Sequence, residues 1–229
     1  PVLRELAVGE TLAGHVLRVS NSAAMSRGIP VESLQVAISR LGMTKVAEIA
    51  LAITCQSRVF KVAGHDAEVR DVFRHSLAAA TFASEIARQI RRNVDDAFVI
   101  GLLHDVGRTV AIQGLDDLAK EAKTEINRTD FADLVLAVHA EFGAATVGCW
   151  GLSDRVQSVI KHHELDTAPA GVDPVLHAIV RLADALAHWV MERPLDDGSE
   201  FQMHGALDAL NIYPDDVAKL LQMRERIMA

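Results

Sequence analysis

The stretch Gly101-Leu102-Leu103-His104-Asp105-Val106-Gly107 places an adjacent histidine and aspartate inside an apolar run. Apolar residues recur around it at spacings of three and four, which indicates a helix that buries one face. On a helix the two polar side chains point about 100° apart, so the histidine can cap one metal ion while the carboxylate bridges to a second. Gly107 allows close backbone approach, and the guanidinium of Arg108 can hold a phosphate oxygen. This stretch therefore predicts a metal or phosphate site.

Further side chains that can bind a metal lie on both sides of this stretch. They are His75, His139, His162, His163 and Asp184. They are spread over several predicted helices, and the facing helices of a bundle can bring such residues together. Imidazole and carboxylate ligands suit borderline divalent metals, so Fe, Mn, Zn or Ni is the expected cofactor.

Helical spacing runs through almost the whole chain and alternating strand patterns are nearly absent, which predicts an all-α fold. The predicted helices span about 3–19, 31–39, 44–60, 67–91, 95–112, 115–125, 129–137, 141–150, 153–163, 172–191 and 214–228. Eight of the ten histidines lie between residues 65 and 190, whereas the first 60 or so residues carry no titratable cluster. We therefore expect a small N-terminal helical lobe, residues 1–64, and a larger lobe, residues 65–229, that holds any site.

Composition excludes several classes of partner. The formal net charge of −8 argues against general nucleic-acid binding, which needs a basic surface. Cys55 and Cys149 have neither metal-finger spacing nor a disulfide framework, which favours a reducing cytoplasm. No window approaches 18 uncharged apolar residues, so no membrane-spanning helix and no membrane partner are expected. The chain opens on Pro1 without a signal peptide, which is typical of a fragment of a longer cytoplasmic protein.

Each candidate ligand also has a simpler interpretation. A single histidine on an apolar helix is more often a packed or surface residue than a ligand, and five histidines are assigned to that class: His15, His65, His177, His188 and His204. Asp71 lies one turn before His75, where it can be the hydrogen-bond partner of that ring or the group that orients it on a metal. The pair His162-His163 can be an exposed helix end, where histidine is favourable. The ordered set, more than any single member, predicts a site.

Several motifs resemble those of one family. Residues 101–107 resemble the signature of the HD superfamily of metal-dependent phosphohydrolases. Residues 16–23 (Val-Leu-Arg-Val-Ser-Asn-Ser-Ala) and 29–42 resemble motifs peculiar to its HDOD branch. Three later segments fit the same family: residues 139–144, 150–152 and 160–163. The likeness runs from about residue 5 to about residue 190 and identifies the chain as similar to HDOD domains.

The resemblance implies a bacterial signalling or regulatory module with an HD-like helical lobe and a small N-terminal helical lobe. His75, His104, Asp105 and Asp184 match the four ligand positions of HD hydrolases. His139, His162 and His163 match the additional histidines of HD-GYP cyclic-dinucleotide phosphodiesterases. Two features depart from that second group, because no Gly-Tyr-Pro follows His163 and Arg108 stands where lysine is usual.

Three functional hypotheses follow. The first is a signal-transduction output domain without robust catalysis, whose partner is an upstream sensory or receiver domain or another signalling protein. The second is a metal-dependent phosphohydrolase acting on a nucleotide phosphodiester, in which Asp105 bridges two metals and Arg108 steadies the phosphate. The third is a helical scaffold whose histidines merely pack.

Overall fold

The computed structural model describes residues 16–22, 31, 33–58, 62–192 and 197–228. The chain divides into two compact units, one of residues 1–58 with 228–229 and one of residues 59–227. Every regular element in the described ranges is a helix, which confirms the all-α prediction. The predicted lobe boundary after residue 64 falls inside the second unit, just before its first helix.

The N-terminal unit contains helices α1, Leu34–Leu41, and α2, Met43–Arg58, and residues 16–20 are also helical. A single residue, Gly42, separates α1 from α2. Its φ of 82° lies in the region that glycine adopts without strain, so the chain can turn between two helices in one step.

A small apolar core of Val16, Val31 and Ala37 holds this unit together. The side chain of Asn21 binds the backbone of Val31 in this core. Its amide nitrogen donates to the carbonyl of Val31 at 2.8 Å, and its oxygen accepts from the backbone amide of Val31 at 2.7 Å. One side chain thus satisfies both backbone groups of a buried residue, groups that are costly to leave unpaired.

The second unit is built on longer helices. They are α3 Asp66–Gln89, α4 Val94–Leu103, α5 Val106–Ala122, α6 Arg128–Cys149, α7 Asp154–His162 and α8 Pro174–Glu192. A 3₁₀ turn and three short helices follow: Ser199–Met203, α9 Ala206–Leu210, α10 Pro214–Leu221 and α11 Arg224–Met228. Asn93 and Asn127 cap α4 and α6, because each side-chain oxygen accepts from a backbone amide in the first turn of its helix.

Small residues bring the central helices close together. Helix α3 buries a run of alanines that includes Ala79 and Ala80, and α4 and α8 both pack on α3. At the α3–α4 crossing, a Cβ on Gly101 would lie 2.7 Å from the Cα of Ala80. The absence of a side chain at position 101 therefore sets the distance between α3 and α4.

A single helix was predicted over residues 95–112. The structure has two helices there, α4 and α5, separated by His104 and Asp105. The Nδ1 of His104 donates to the carbonyl of Gly101 at 2.8 Å, and that carbonyl is the acceptor that the amide of Asp105 would use in a continuous helix. Asp105 has φ −101° and ψ 9°, in the bridge region where many active-site residues are found. The two side chains therefore project from a break between α4 and α5 instead of from a regular helix.

Helix α6 was predicted as two helices, 129–137 and 141–150, but it runs unbroken through His139. By length and composition alone it could cross a membrane, with a mean hydropathy of 1.3 over 18 residues, which the sequence analysis did not anticipate. Its contacts place it in the helical unit, because it packs on α5 and α7 and buries His139 completely.

Candidate metal centre

The second unit brings six of the seven predicted ligand residues into one cluster. His75 comes from α3, His104 and Asp105 from the break between α4 and α5, and His139 from α6. His163 directly follows α7, and Asp184 lies on α8. Three helices, the break between α4 and α5 and the end of α7 therefore converge on the carboxylate of Asp105, which is 1% exposed.

A first group of ligand atoms lies on the Oδ2 side of Asp105. The Nε2 atoms of His104 and His75 are 3.6 and 3.9 Å from that oxygen. Asp184 closes the group, because its Oδ1 is 2.8 Å from Nε2 of His75 and 3.5 Å from Nε2 of His104. The donor atoms of His75, His104 and Asp184 thus lie within 4.8 Å of one another, beside Oδ2 of Asp105.

A second group lies on the Oδ1 side of the same carboxylate. The Nε2 atoms of His139 and His163 are 3.5 and 3.6 Å from Oδ1 of Asp105. The Oε1 of Glu164 is 3.4 Å from Nε2 of His139. The donor atoms of His139, His163 and Glu164 all lie within 4.8 Å of one another, so each oxygen of Asp105 faces its own set of ligands.

Backbone carbonyls fix the orientation of the buried imidazole rings. The Nδ1 of His104, His139 and His163 each lies 2.7–2.8 Å from the carbonyl three residues earlier. A carbonyl oxygen can only accept, so Nδ1 carries the proton and Nε2 is the atom presented to the site. The Nε2 atoms of His104 and His139 and the Oδ1 of Asp105 are buried without a hydrogen-bond partner.

Two glycines set the distance between the second group and Asp105. A Cβ on Gly107 would lie 1.8 Å from the carbonyl oxygen of His139 and 2.4 Å from the amide nitrogen of Gly143. Helices α5 and α6 therefore cross backbone to backbone at His139 itself, two residues along the chain from Asp105. The expected close approach at Gly107 is made by the backbone of α6.

The buried charges shift one another's pKa values in a consistent pattern. Burial disfavours the charged form of His104, but attraction to Asp105 and Asp184 outweighs it and raises the pKa of His104 to about 9. Burial also opposes ionisation of Asp105 and Asp184, yet the surrounding histidines hold the pKa of both carboxyl groups well below the usual range. Burial lowers the pKa values of His75 and His139. The centre therefore holds an ionised pair of carboxylates, a protonated His104, and His75 and His139 rings that burial keeps neutral.

Arg108 contacts the same carboxylate. Its Nε lies 3.1 Å from Oδ1 of Asp105, although the angle is not that of a hydrogen bond and Nε is otherwise unpaired. The side chain is 24% exposed, so the guanidinium lies between the buried carboxylate and solvent. In this position it can attract an anionic group that approaches the cluster.

Three further residues singled out in the sequence lie outside the cluster or at its edge. His162 is outside the groups of candidate ligands found among the described residues, and its Nδ1 is bonded to the carbonyl of Ser158 at 2.8 Å. Asp71 is exposed and lies 3.8 Å from Arg74, so its predicted pairing with His75 was wrong. The ring of His188, which was assigned to packing, lies against His75 with centroids 4.3 Å apart, and its Nε2 is 3.5 Å from Asp184.

Glu164 belongs to the cluster but was not predicted from the sequence. Glu164 follows His162-His163 directly, and it was considered only as part of a departure from the Gly-Tyr-Pro pattern. The available signal was its position, because a carboxylate next to two histidines offers a third metal-ligand donor within three residues.

Comparisons with solved structures support the fold. The chain aligns with an HDOD domain protein of unknown function from Geobacter sulfurreducens, with 21% identity, a TM-score of 0.68, and coverage of 99% of this chain and 83% of that one. A protein from Shewanella amazonensis SB2B, described as a candidate metal-dependent phosphohydrolase, aligns at 21% identity with a TM-score of 0.67, covering 96% and 81%. The MmoQ response regulator of Methylococcus capsulatus aligns at 21% identity with a TM-score of 0.56, covering 92% and 84%.

Sequence comparison gives the family. An uncharacterized protein of Treponema pallidum is 24% identical over 177 residues, which are 73% of this chain but only 34% of that protein. This chain therefore spans about a third of the length of that relative. A family profile described as the HDOD domain matches residues 2–165, which include both N-terminal motifs and every cluster residue except Asp184 and His188. The chain belongs to the HDOD family.

Proposed function

We propose that this chain is a signalling output domain whose HD-like unit binds divalent metal ions. Membership of the HDOD family and the fold shared with a response regulator support the signalling role. The ligand groups around Asp105 support the metal site. The partner is an upstream sensory or receiver domain or another signalling protein.

One observation carries the metal-binding part of this proposal. Three buried atoms that can donate electron pairs, Nε2 of His104, Nε2 of His139 and Oδ1 of Asp105, have no hydrogen-bond partner. Each unpaired buried polar atom costs about 1–3 kcal/mol, so a cluster of them is expected only where a ligand binds. A cation in the first group would satisfy His104, and a cation in the second would satisfy His139 and Oδ1 of Asp105, which a packed scaffold of histidines does not.

The donor set fits borderline divalent metals. Around Asp105 the cluster offers imidazole nitrogens and carboxylate oxygens and no thiolate, a mixture suited to iron, manganese, zinc or nickel. The imidazoles and Asp105 are buried, whereas the side chains of Asp184 and Glu164 are 30% and 54% exposed. The carboxylates of Asp184 and Glu164 therefore form the solvent-facing side through which a metal and a further ligand can enter.

A specific observation favours a second function, the hydrolysis of a nucleotide phosphodiester. The two oxygens of Asp105 face different ligand groups, which is the arrangement of a carboxylate that bridges two metals. Bound divalent ions would supply Lewis acidity and a water of lowered pKa. Arg108, on the solvent side of Asp105, would bind a phosphoryl oxygen and orient the phosphodiester toward the cluster.

Thermal unfolding with and without metal tests the first function. A ligand at 100 times its Kd stabilises a protein by about 2.7 kcal/mol, so Mn²⁺ or Fe²⁺ should raise the melting temperature of the wild type. Asp105→Ala should abolish the increase, while Asp133→Ala, which removes an exposed carboxylate on α6, should keep it. If none of Mn²⁺, Fe²⁺, Zn²⁺ and Ni²⁺ stabilises the wild type more than Asp105→Ala, the proposal is wrong.

The same variants separate the second function from the first. Turnover of bis(p-nitrophenyl) phosphate or of a cyclic dinucleotide by the manganese- or iron-loaded wild type, lost in Asp105→Ala, would show an enzyme. Stabilisation by metal without turnover of either substrate leaves the output domain as the function.

A further inference from the structure

We infer that Glu164, and not His162, supplies the outer ligand of the second metal group. This inference rests on the metal binding proposed above and assigns a role to a residue that the family motifs do not single out. The residue pair His162-His163 would then contribute one ligand, His163, and the residue after the pair would contribute the other.

The distances around the second group match those within a metal shell. Metal–ligand bonds of about 2.0–2.2 Å place neighbouring ligand atoms about 3–3.6 Å apart. The separation of Glu164 Oε1 from His139 Nε2 is 3.4 Å, and Asp105 Oδ1 lies 3.5 Å from His139 Nε2 and 3.6 Å from His163 Nε2. The donor atoms of His139, His163 and Glu164 lie within 4.8 Å of one another, which suits one shared ion, and Oδ1 of Asp105 lies beside both imidazoles.

Among the described residues, His162 is not in the group whose donor atoms lie within 4.8 Å of one another. It is the last residue of α7, and its Nδ1 is 2.8 Å from the carbonyl of Ser158 in the preceding turn. Adjacent residues on a helix point about 100° apart, so His162 and His163 leave α7 in different directions. Only His163 is directed to Asp105.

Helix α8 holds the turn that carries Glu164. The Nε2 of His177 lies 2.9 Å from the carbonyl of His162, and because that oxygen can only accept, the ring donates. One turn further along α8, Arg181 donates to the carbonyl and the carboxylate of Asp166. Two side chains of α8 therefore fix the backbone on both sides of Glu164, which keeps an exposed carboxylate close to buried imidazoles.

With Glu164 included, the two groups have equal donor sets. Each offers two imidazole nitrogens, one outer carboxylate and one oxygen of Asp105. The outer carboxylates are Asp184 in the first group and Glu164 in the second. Equal donor sets have equal metal preferences, so we expect the same metal species in both positions.

Metal stoichiometry tests the role of Glu164 without relying on activity. Wild type, Glu164→Gln, His162→Gln and the control Glu141→Gln would be loaded with Mn²⁺, freed of excess metal by gel filtration, and measured for manganese per chain and for affinity by calorimetry. Glu141 is an exposed carboxylate of α6 paired with Lys161, outside both groups. We expect two ions per chain in the wild type, in His162→Gln and in Glu141→Gln. Glu164→Gln should lose one ion or bind it at least tenfold more weakly.

The outcomes separate this inference from the proposed function. If Glu164→Gln matches the wild type, or if His162→Gln loses an ion, the inference is wrong while the metal site stands. A wild type that binds no metal removes both the inference and the proposed function. Melting curves without metal show whether each variant is folded, and the exposed position of Glu164 predicts that its variant is.

Discussion

Gly107 packs directly against the backbone of His139, so that a Cβ at position 107 would lie 1.8 Å from the carbonyl oxygen of His139. The two residues lie on the crossing helices α5 and α6. Gly107 follows Asp105 by two residues, and His139 is itself in the second ligand group. The spacing of that group therefore depends on the absence of a side chain at position 107.

Substitution of Gly107 by alanine should damage both the fold and the site. Overpacking of a tight contact typically costs 1–3 kcal/mol, and because both atoms in this contact belong to backbones, we expect a loss of about 3 kcal/mol in the free energy of unfolding. Metal affinity should fall with it, since α6 must move away from Asp105. Chemical denaturation and Mn²⁺ titration measure the two effects.

Gly114 on the same helix is the matched control. A Cβ at that position meets no atom within 4 Å, so Gly114→Ala should stabilise α5 by about 0.5–1 kcal/mol through helix propensity alone. Equal effects of the two substitutions would contradict the close crossing of α5 and α6.

The stability of the protein without metal should fall as pH rises from about 6.5 to about 9. The folded pKa of His104 is raised from 6.5 to about 9 by Asp105 and Asp184 against burial. A raised histidine pKa stabilises the folded state fully below the unfolded pKa, and this stabilisation is lost as pH rises through the folded value. The shift corresponds to a change on the order of 3 kcal/mol. Urea unfolding in the presence of a chelator, at several pH values in this window, measures it.

Metal should remove that pH dependence, because an ion bound to Nε2 of His104 replaces the proton. We expect manganese-saturated protein to keep its stability up to pH 9 and to bind manganese more tightly as pH rises. Below pH 6.5 the lowered pKa values of His75 and His139 act in the opposite direction, since the unfolded chain then takes up the protons. A chelated protein with constant stability between pH 6.5 and 9 would contradict the assigned electrostatics.

Replacement of Arg108 by glutamine should tighten metal binding. The Nε of Arg108 lies 3.1 Å from the Asp105 oxygen that faces the second group, so a metal ion bound there would lie close to the guanidinium. Two positive charges at such distances repel by several kcal/mol at an effective dielectric constant of about 20. We expect Mn²⁺ affinity to rise about tenfold, and any phosphodiester hydrolysis to fall because the phosphate loses its anchor. Calorimetry and turnover assays measure both.

Arg88→Gln, an exposed substitution on α3 beside Glu85, should change neither quantity. If Arg108→Gln weakens metal binding, Arg108 is holding Asp105 in place for the metal instead of competing with it.

Local patterns in the sequence were sufficient to predict the helices and much of the cluster. They did not predict the break between α4 and α5. Periodicity predicted helix throughout, and it did not show that α4 ends at Leu103, because that end depends on the hydrogen bond from the ring of His104 to Gly101. Because of this bond, His104 and Asp105 lie at the break between two helices, whereas the sequence predicted them within one helix. A side-chain to backbone bond of this kind competes with the helical ladder and leaves no periodic signal.

The sequence could not show whether His162 or Glu164 lies in the second group, for a similar reason. Both residues flank His163, and both carry groups that bind metals. Which one lies beside His139 and His163 depends on where α7 ends and on how His177 and Arg181 of α8 hold the following turn. These contacts join residues 15 apart, on α8 and on the end of α7 or the turn after it, and motif spacing does not encode them.

Elemental analysis of the chain, purified without chelator or added metal, tests the central claim that the six converging side chains form a metal site. Parallel preparations of wild type, Asp105→Ala and Asp133→Ala would be measured for iron, manganese, zinc and nickel per chain. The account predicts at least one equivalent of these metals in the wild type and in Asp133→Ala, and almost none in Asp105→Ala. Equal metal content in Asp105→Ala and the wild type, or a wild type that carries no metal and takes up none on loading, would contradict it.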